Sequence, residues 1–431
     1  MGKEPERESR LRLNTWLLPV LVVLLLTAQL LAPYKGWLIL LIGLGGALLI
    51  GFLWAWSLKR KLHLTREIRY GWAQVGDRLV ERFTLTNGGH FPALWVEVVD
   101  HSTIPGYQKG WATGVGANSA IRRHHDAICT HRGLFTLGPT SLLTSDPFGI
   151  FTVRIHYPAA LPFMVLPPIV SLPAIQVASG GRAGEGRPRP NAPDRTVSAS
   201  SVREYVPGDS MRWVHWPTSA RQSSLFVRLF DGTPASDWWI FLDLERRVQV
   251  GEGQDSTEEH GVILAASLAD RGLRLRRAVG LAVHGRELVW LPPQGGDNHR
   301  LEILRALALV SPGMCPLSEL LMRTRLSLGQ HASLIIVTPA IESSWVEALI
   351  PLLRRGVVPT VLLLDPASFG GKGDVRETAL ALTDLKVTHY IIGRDLLVLP
   401  ELQPRQEWRV LGTGRAMPVR RRYDVPWKVL T

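Results

Sequence analysis

Side chains able to ionise, hydrogen-bond or shield charge crowd into residues 202–231, VREYVPGDSMRWVHWPTSARQSSLFVRLFD. Arg203, Arg212, Arg221 and Arg228 offer planar donor forks, Glu204 and Asp209 can answer them, and Tyr205, Trp213 and Trp216 can keep water from such pairs. Pro207-Gly208-Asp209 has the make-up of a turn, with Pro presetting one dihedral and Gly freeing the next. Residues 224–230 alternate like a strand, with Leu225, Val227 and Leu229 on one face. Two chemistries fit this set. Asp209 and His215 are the residue types of a hydrolase acid/base pair, and Ser219 lies near His215 in sequence. Alternatively, Arg203, Glu204, Tyr205, Pro207, Gly208, Asp209, Arg212, Trp213, His215, Trp216, Ser219, Arg221 and Arg228 together build an ion-pair and aromatic plug that docks one domain on another. The plug is preferred, because structural ion-pair networks imitate active sites. The chain also contains no nucleophile elbow, P-loop, HExxH or Gly-rich dinucleotide fingerprint.

Little else suggests catalysis. His124 and His125 are adjacent, so on a strand they point to opposite faces and do not ligate one ion together; His131 completes no set. Cys129 and Cys315 lie far apart without metal-ligand spacing, which argues against a disulfide scaffold or zinc module and for a reducing compartment. Lys+Arg 49 against Asp+Glu 37 gives a formal charge of +12. That charge permits anionic partners, lipid or nucleic acid, without choosing between them. The basic residues cluster beside the apolar runs, in a Gly/Pro-rich stretch and near residue 420, where lipid electrostatics accounts for them at least as well as nucleic acid.

The elements that must position these residues follow in chain order. Residues 1–12 form a charged tail. Residues 13–32 and 36–56 are apolar runs of about the 20 residues that a membrane-crossing helix needs. They are separated by Pro33-Tyr34-Lys35 and read as a helical hairpin, with Gly43, Ala47 and Gly51 as a small-residue stripe for the first helix. No small-x-small cleavage site follows the first run, so a signal peptide is rejected. Lys3, Arg7, Arg10 and Arg12 before the hairpin, and Lys59, Arg60, Lys61 and Arg66 after it, place both ends in the cytoplasm. Residues 63–170 alternate between turn signals and predict a β-sandwich. Within them, Asp146-Pro147-Phe148-Gly149 reads as a stiff turn that Asp146 closes, with Phe148 and Phe151 capping the core. Residues 171–201 have the composition of a flexible linker. From 232 to 400, near-continuous apolar strands alternate with helices, which predicts an α/β doubly wound, largely parallel sheet. Residues 401–431 are expected to be a loose basic tail.

The paired apolar runs, the pattern RG-x-F-x-LGP…DPFG-x-F at 132–151 and REYVPGD…R-x-V-H-W…SAR…L-x-VR-x-F at 203–230 together resemble the bacterial and archaeal domain-of-unknown-function family fifty-eight. The resemblance covers roughly residues 13–245. It implies a membrane-tethered protein with a von Willebrand factor A-like C-terminal domain, encoded beside MoxR-type AAA+ ATPases and transglutaminase-like membrane proteins. It implies no reaction. His215 and Pro217 stand where many relatives carry Asp and Lys, which unsettles any salt bridge built there. A von Willebrand A-like sheet also invites a search for Asp-x-Ser-x-Ser after its first strand, where hard oxygens hold Mg²⁺. The corresponding run is Asp243-Leu244-Glu245-Arg246-Arg247, with Glu245 and Arg247 at the hydroxyl positions. A guanidinium supplies no lone pair, so the site is degenerate and no metal or other cofactor is expected. Asp243 is expected to cap the following turn or to bind an arginine of 202–231.

The sequence therefore predicts a non-enzymatic, multi-pass membrane scaffold or adaptor whose large C-terminal part lies in the cytoplasm. Its expected partners are the cytoplasmic membrane, a MoxR-type AAA+ ATPase from the resemblance alone, and anionic lipid. Nucleic acid is not expected.

Overall fold

The computed structural model describes residues 7–173, 175–178, 199–206, 211, 214–222, 224–230, 237–324, 328, 332–397, 399, 408–410, 416–418 and 428–430. The chain forms two units, residues 1–168 with 399–431 and residues 169–398.

The first unit runs β1 (Glu8–Leu13), α1 (Leu17–Leu31), α2 (Lys35–Lys61), β2 (Leu62–Ile68), β3 (Trp72–Gln74), β4 (Arg78–Asn87), β5 (Ala93–Asp100), β6 (Gly110–Val115), β7 (Ser119–Ile128), β8 (Gly133–Leu137), β9 (Thr140–Ser145), β10 (Phe151–Tyr157) and β11 (Leu161–Leu166). One sheet has the order β1-β10-β9-β5-β6. A second joins β2, β4 and β7, and a third has the order β3-β11-β8. Inward residues of the long strands β2 and β4 serve two clusters. Leu62, Leu64, Phe83 and Leu85 meet Val96, Val98, Leu142, Val153 and Ile155, while Ile68 and Leu79 meet Phe163 and Val165. Strict alternation along β2 and β4 puts these side chains on one face, as a half-buried sheet requires.

Both expected tails are corrected in part. Glu8–Leu13 pairs antiparallel with β10. Its period of two leaves Glu8, Arg10 and Arg12 exposed and turns Leu11 and Leu13 to the core, so the charge of the tail did not keep it unfolded. At the other end, Lys428–Leu430 pairs with Arg66–Ile68 along the edge of β2, which a loose tail would have left open.

The apolar hairpin also differs from its expected bounds. Because residue 13 belongs to β1, α1 is only 15 residues long, about 22 Å at 1.5 Å per residue. Among the described residues α2, with 27, is the helix long and apolar enough to cross a membrane. It runs directly into β2. Its last turn carries Lys59, Arg60 and Lys61, and Arg7 donates to the carbonyls of Arg60 (3.0 Å) and Leu62 (3.3 Å), which closes the helix end with positive charge. The small-residue stripe does not act as one face. A Cβ on Gly43 would meet nothing within 4 Å, Gly45 approaches Val22 of α1, and Gly51 lies against Asp146 and Ile150 of the sandwich.

The second unit begins before the expected boundary of 232. Residues 171–173 and 175–178, expected to be linker, belong to it: Val170 N–H donates to Ser267, Arg271 to the carbonyl of Ile175, Ala178 N–H to Thr360, and Ser333 to the carbonyl of Ala178. Ile175 is buried, so the segment straps down instead of swinging free. Residues 174 and 179–198 of the expected linker lie outside the described residues. Then come β12 (Ala199–Glu204), α3 (Trp216–Gln222) and β13 (Phe226–Phe230), with β12 and β13 paired antiparallel. The sheet that follows contains β14 (Trp238–Leu242), β15 (Val279–His284), β16 (Leu288–Gln294), β17 (Ser333–Thr338), β18 (Val358–Leu364) and β19 (Thr388–Ile392), in the order β16-β15-β14-β17-β18-β19. Only the pairing of β15 with β16 is antiparallel among its described pairs.

Helices α4 (Thr257–Arg274), α5 (Asp297–Leu309), α6 (Leu317–Thr324), α7 (Ser344–Glu347), α8 (Ile350–Arg354) and α9 (Arg376–Asp384) complete it. On one face of β14, Trp239 and Phe241 pack with Leu320, Trp345, Leu352 and Leu382. The other face meets α4, where Gly261 and Gly272 lie close to Leu242 and Trp238. Ser256 caps α4 by accepting from Glu259 N–H, and acidic residues in the first turn and Arg271 and Arg274 in the last suit its dipole. The chain over 344–354 forms two short helices instead of one, because Pro351 has no N–H for the carbonyl one turn earlier.

Candidate functional site

In the six-stranded sheet, β14 connects through α4 to β15 on one side, whereas β17 connects to β18 on the other. The crevice at the carboxyl ends of β14 and β17 is therefore the switch point, the place where open parallel sheets bind ligands. Asp243 and Thr338 stand at those two strand ends. Both are buried, and Thr338 Oγ1 donates to Asp243 Oδ2 at 2.6 Å. Asp243 Oδ1 accepts from the N–H of Glu245 (3.0 Å), closing the turn after β14, while Thr338 Oγ1 accepts from the N–H of Ala340 (3.0 Å). Burial pushes the Asp243 carboxyl up to about 6, against the pull of Thr338 and the Glu245 N–H. Burial also raises Glu245, with Arg247 opposing and Glu342 adding to the rise.

Both carboxylate oxygens of Asp243 are thus committed inside the protein. Among the described residues, no group of three or more His, Cys, Asp or Glu is placed to hold a metal ion. Arg247 is exposed and acts on Glu245 by its charge. The turn itself is pinned from outside. Arg246 N–H donates to the carbonyl of Gly313 at 2.8 Å, and Gly313 N–H to that of Leu244 at 2.9 Å. A Cβ on Gly313 would stand 1.9 Å from the carbonyl oxygen of Gly285, which only backbone movement could relieve. Gly313→Ala is expected to cost at least about 1–3 kcal/mol as an overpacking change. Faster hydrogen exchange at residues 243–250 than in the wild type would show it; unchanged exchange would refute it.

The stretch 202–231 divides differently from the expected buried plug. Glu204, Trp216 and Arg221 are exposed, and Glu204 accepts from Ser224 Oγ at 3.4 Å. That corrects the expectation at those positions: a ribbon and a seven-residue helix have too little interior to enclose three large polar or aromatic groups. Tyr205 is half-buried and its N–H donates to Leu225. His215 precedes α3 and caps it. Its Nδ1 lies 2.7 Å from Thr218 Oγ1 and accepts from the N–H of Thr218 (3.3 Å), and its carbonyl accepts from Ser219. Ser219 is buried; its Oγ donates to the His215 carbonyl and accepts from Phe226 N–H at 2.8 Å, tying α3 to β13. His215 and Ser219 are thereby brought together as a cap and a brace. Arg203 and Arg228 lie on β12 and β13, one paired with Val227 and the other with Val202. Pro207, Gly208, Asp209, Arg212 and Trp213 lie outside the described residues, and so does any pairing of Asp209 with His215.

A denser polar site, absent from the sequence reading, lies inside the sandwich. Arg66 of β2 donates through Nε to Glu81 (2.9 Å), and its Nη2 reaches Glu81 (2.7 Å), Asp100 (3.1 Å), Ser102 (3.1 Å) and the Tyr107 hydroxyl (3.2 Å). Tyr107 OH bridges Glu81 and Asp100, and Ser102 donates to Asp100 and accepts from Gly138 N–H. All five side chains are buried. Burial lowers the Arg66 pKa, but Glu81, Tyr107 and Asp100 outweigh it and the net shift is upward. Burial raises Glu81 more than Arg66 and the Tyr107 bond lower it. The signal was available: in Leu62-x-Leu64-x-Arg66-x-Ile68 and Leu79-x-Glu81-x-Phe83-x-Leu85, the charged residue occupies an inward position of an alternating strand. His125 is buried against the Tyr107 ring while His124 is exposed, so the adjacent histidines do take opposite faces.

Comparison with known proteins matches residues 201–373 to the family model described as "Protein of unknown function DUF58". Over 111 residues the chain is 37% identical to the uncharacterized protein YeaD of Bacillus subtilis, a match that covers 26% of each. The chain thus aligns with about a quarter of that relative's length. Among solved structures, an aerotolerance-related membrane protein from Bacteroides fragilis is 15% identical, with 43% of this chain and 81% of that one covered and a TM-score of 0.24. The CARDB domain of a Pyrococcus furiosus protein is 13% identical over 24% of this chain and 94% of its own, with a TM-score of 0.18.

Proposed function

We propose that this chain is a membrane-anchored scaffold that holds two folded units at the cytoplasmic face of the membrane and acts by binding protein partners without catalysing a reaction. One observation carries the proposal: the chain leaves the sandwich at the end of β1 and re-enters it at β2, with α1 and α2 as the excursion between. Both ends of the hairpin therefore belong to one side, and α1 and α2 together form a two-span anchor. The cluster Lys59, Arg60 and Lys61, with Arg7 against it, supports the cytoplasm as that side. The second unit is taken to be von Willebrand factor A-like, and the partner for its carboxyl edge to be an AAA+ ATPase of the MoxR type. The enclosed state of Asp243 favours a surface read by a protein over a pocket that turns over a small molecule.

In membranes from cells expressing the full chain, the protein is expected to stay in the pellet after an alkaline carbonate wash. Protease is expected to degrade the second unit in inverted vesicles and spare it in right-side-out ones. Release by carbonate, or cleavage from the outside, would overturn the anchored, cytoplasmic arrangement. Saturable binding of a purified MoxR-type ATPase to the reconstituted chain tests the partner, and its absence would remove that assignment alone.

A further inference from the structure

α1, and the part of α2 that stands clear of the sandwich, are each short for crossing a membrane. At 1.5 Å per residue α1 rises about 22 Å, and the part of α2 before Gly51 about 24 Å, against a hydrocarbon core of about 30 Å. Beyond that point one face of α2 is held by protein, while Leu53 and Trp56 stay exposed: Gly51 meets the turn at Asp146, Phe52 packs edge-on against Phe151, and Trp54 stacks on Phe91 and donates to the carbonyl of Pro92. The loops and the start of β5 that flank the helices at this level expose apolar side chains. Trp16 is 73% exposed, Leu94 57%, Phe148 56% and Trp95 40%. They surround the same exit. Asn14 N–H donates to the carbonyl of Ile150 and Asn14 Nδ2 to that of Gly149, which seats the start of α1 beside the Phe148 turn. Trp95 donates its indole N–H to Ser145, next to Asp146.

The polar groups of this rim are meanwhile satisfied from within. Asp146 is buried and accepts from the N–H groups of Phe148 and Phe151, and its own carbonyl accepts from Gly149 N–H. A turn that enters a region poor in water needs that arrangement, since an unpaired backbone group there is costly. Tryptophan and phenylalanine flanking a span suit the headgroup level. From the shortfall in helix length, the continuity with the anchor and the satisfied turn, we infer that this end of the sandwich is itself a lipid-contact surface. Trp16, Leu94, Trp95 and Phe148 sit in the interfacial layer of the bilayer, so the sandwich is partly sunk into the membrane and holds a fixed height and tilt. The inference rests on the anchored reading above.

The test uses the full chain with Cys315→Ser, in which the remaining Cys129 is buried. Single spin labels are placed at Phe148→Cys, at Leu40→Cys within α2, and at Gln108→Cys, an exposed site beyond the opposite end of β5 from Trp95. The labelled chains are reconstituted into phosphatidylcholine–phosphatidylglycerol vesicles, and collision with oxygen is compared with collision with a water-soluble nickel chelate. Expected are a lipid-like response at residue 40, a several-fold loss of chelate access at residue 148 relative to 108, and full access at 108. Lipid character at 40 with residue 148 as open to the chelate as 108 would overturn the inference and leave the anchor standing. Water access at 40 would overturn both. Because Phe148 is exposed and Asp146 closes the turn, the substitution leaves the fold intact.

Discussion

Replacing Arg66 by Met is expected to lower the stability of the sandwich by about 3–5 kcal/mol, the usual result of stranding buried charges by removing their partner. Arg66 faces Glu81, Asp100, Ser102 and Tyr107 at once, with 6% of its own surface exposed. Methionine would fill much of the volume but leave Glu81 and Asp100 facing each other through Tyr107 with no cation. Glu81→Gln should behave very differently. Glutamine Oε1 can still accept from Arg66, its amide can donate to the Tyr107 oxygen, and Tyr107 can then donate to Asp100, leaving one cation and one anion. A loss of at most about 1 kcal/mol is expected for that change, in the range of one ordinary hydrogen bond. Hydrogen exchange of β2, β4 and β5 in the solubilised full chain measures both, with the amides of β14 and β17 as an internal reference. Equal losses for the two variants, or a larger loss for Glu81→Gln, would show that charge balance does not hold this cluster together.

How much of this was visible in the sequence depended on how many faces each element buries. β14, β15, β17 and β18 are buried on both sides, so they stand out in the sequence as unbroken apolar runs. β1 is a single-faced edge strand in which Ser9, Leu11 and Leu13 alternate with charged residues. A composition count sees a charged tail there, and only the period of two reveals the strand. The same period marks Arg66 and Glu81 as inward, but their partners Asp100 and Tyr107 come from the end of β5 and the loop after it. Such a pairing exists only after folding. In 202–231 the residue types suit a buried network, yet at three described positions, Glu204, Trp216 and Arg221, the side chains face solvent. Side-chain chemistry alone does not say whether an element has enough interior to bury it.

At the switch point, Asp243→Asn is expected to stabilise the second unit at neutral pH and to do so less in acid. The folded protein raises this carboxyl from 3.8 to about 6 by burial, despite the donors Thr338 and Glu245 N–H. A folded pKa above the unfolded one means that the folded state binds the proton more tightly. The stability contributed by this group is then complete below the unfolded value of 3.8 and is lost as pH rises through about 6. At about 1.36 kcal/mol per pH unit, the ionised form costs on the order of 3 kcal/mol at pH 7. Asparagine carries no charge at any pH and keeps an acceptor for Glu245 N–H. Its amide meets Thr338 Oγ1, which must find a new acceptor for its own proton, at a cost of about 1 kcal/mol. The variant should therefore be slightly less stable than wild type near pH 4 and more stable by about 2 kcal/mol near pH 7. The difference between their denaturation midpoints, followed from pH 4 to 8, checks this, and a difference independent of pH would refute it. Mg²⁺ provides a further discrimination. If the cation stabilised the wild type at neutral pH and left the variant unchanged, the carboxylate would be serving as a ligand, and the enclosed Asp243–Thr338 pair would be the resting state of a cation site instead of a structural clasp.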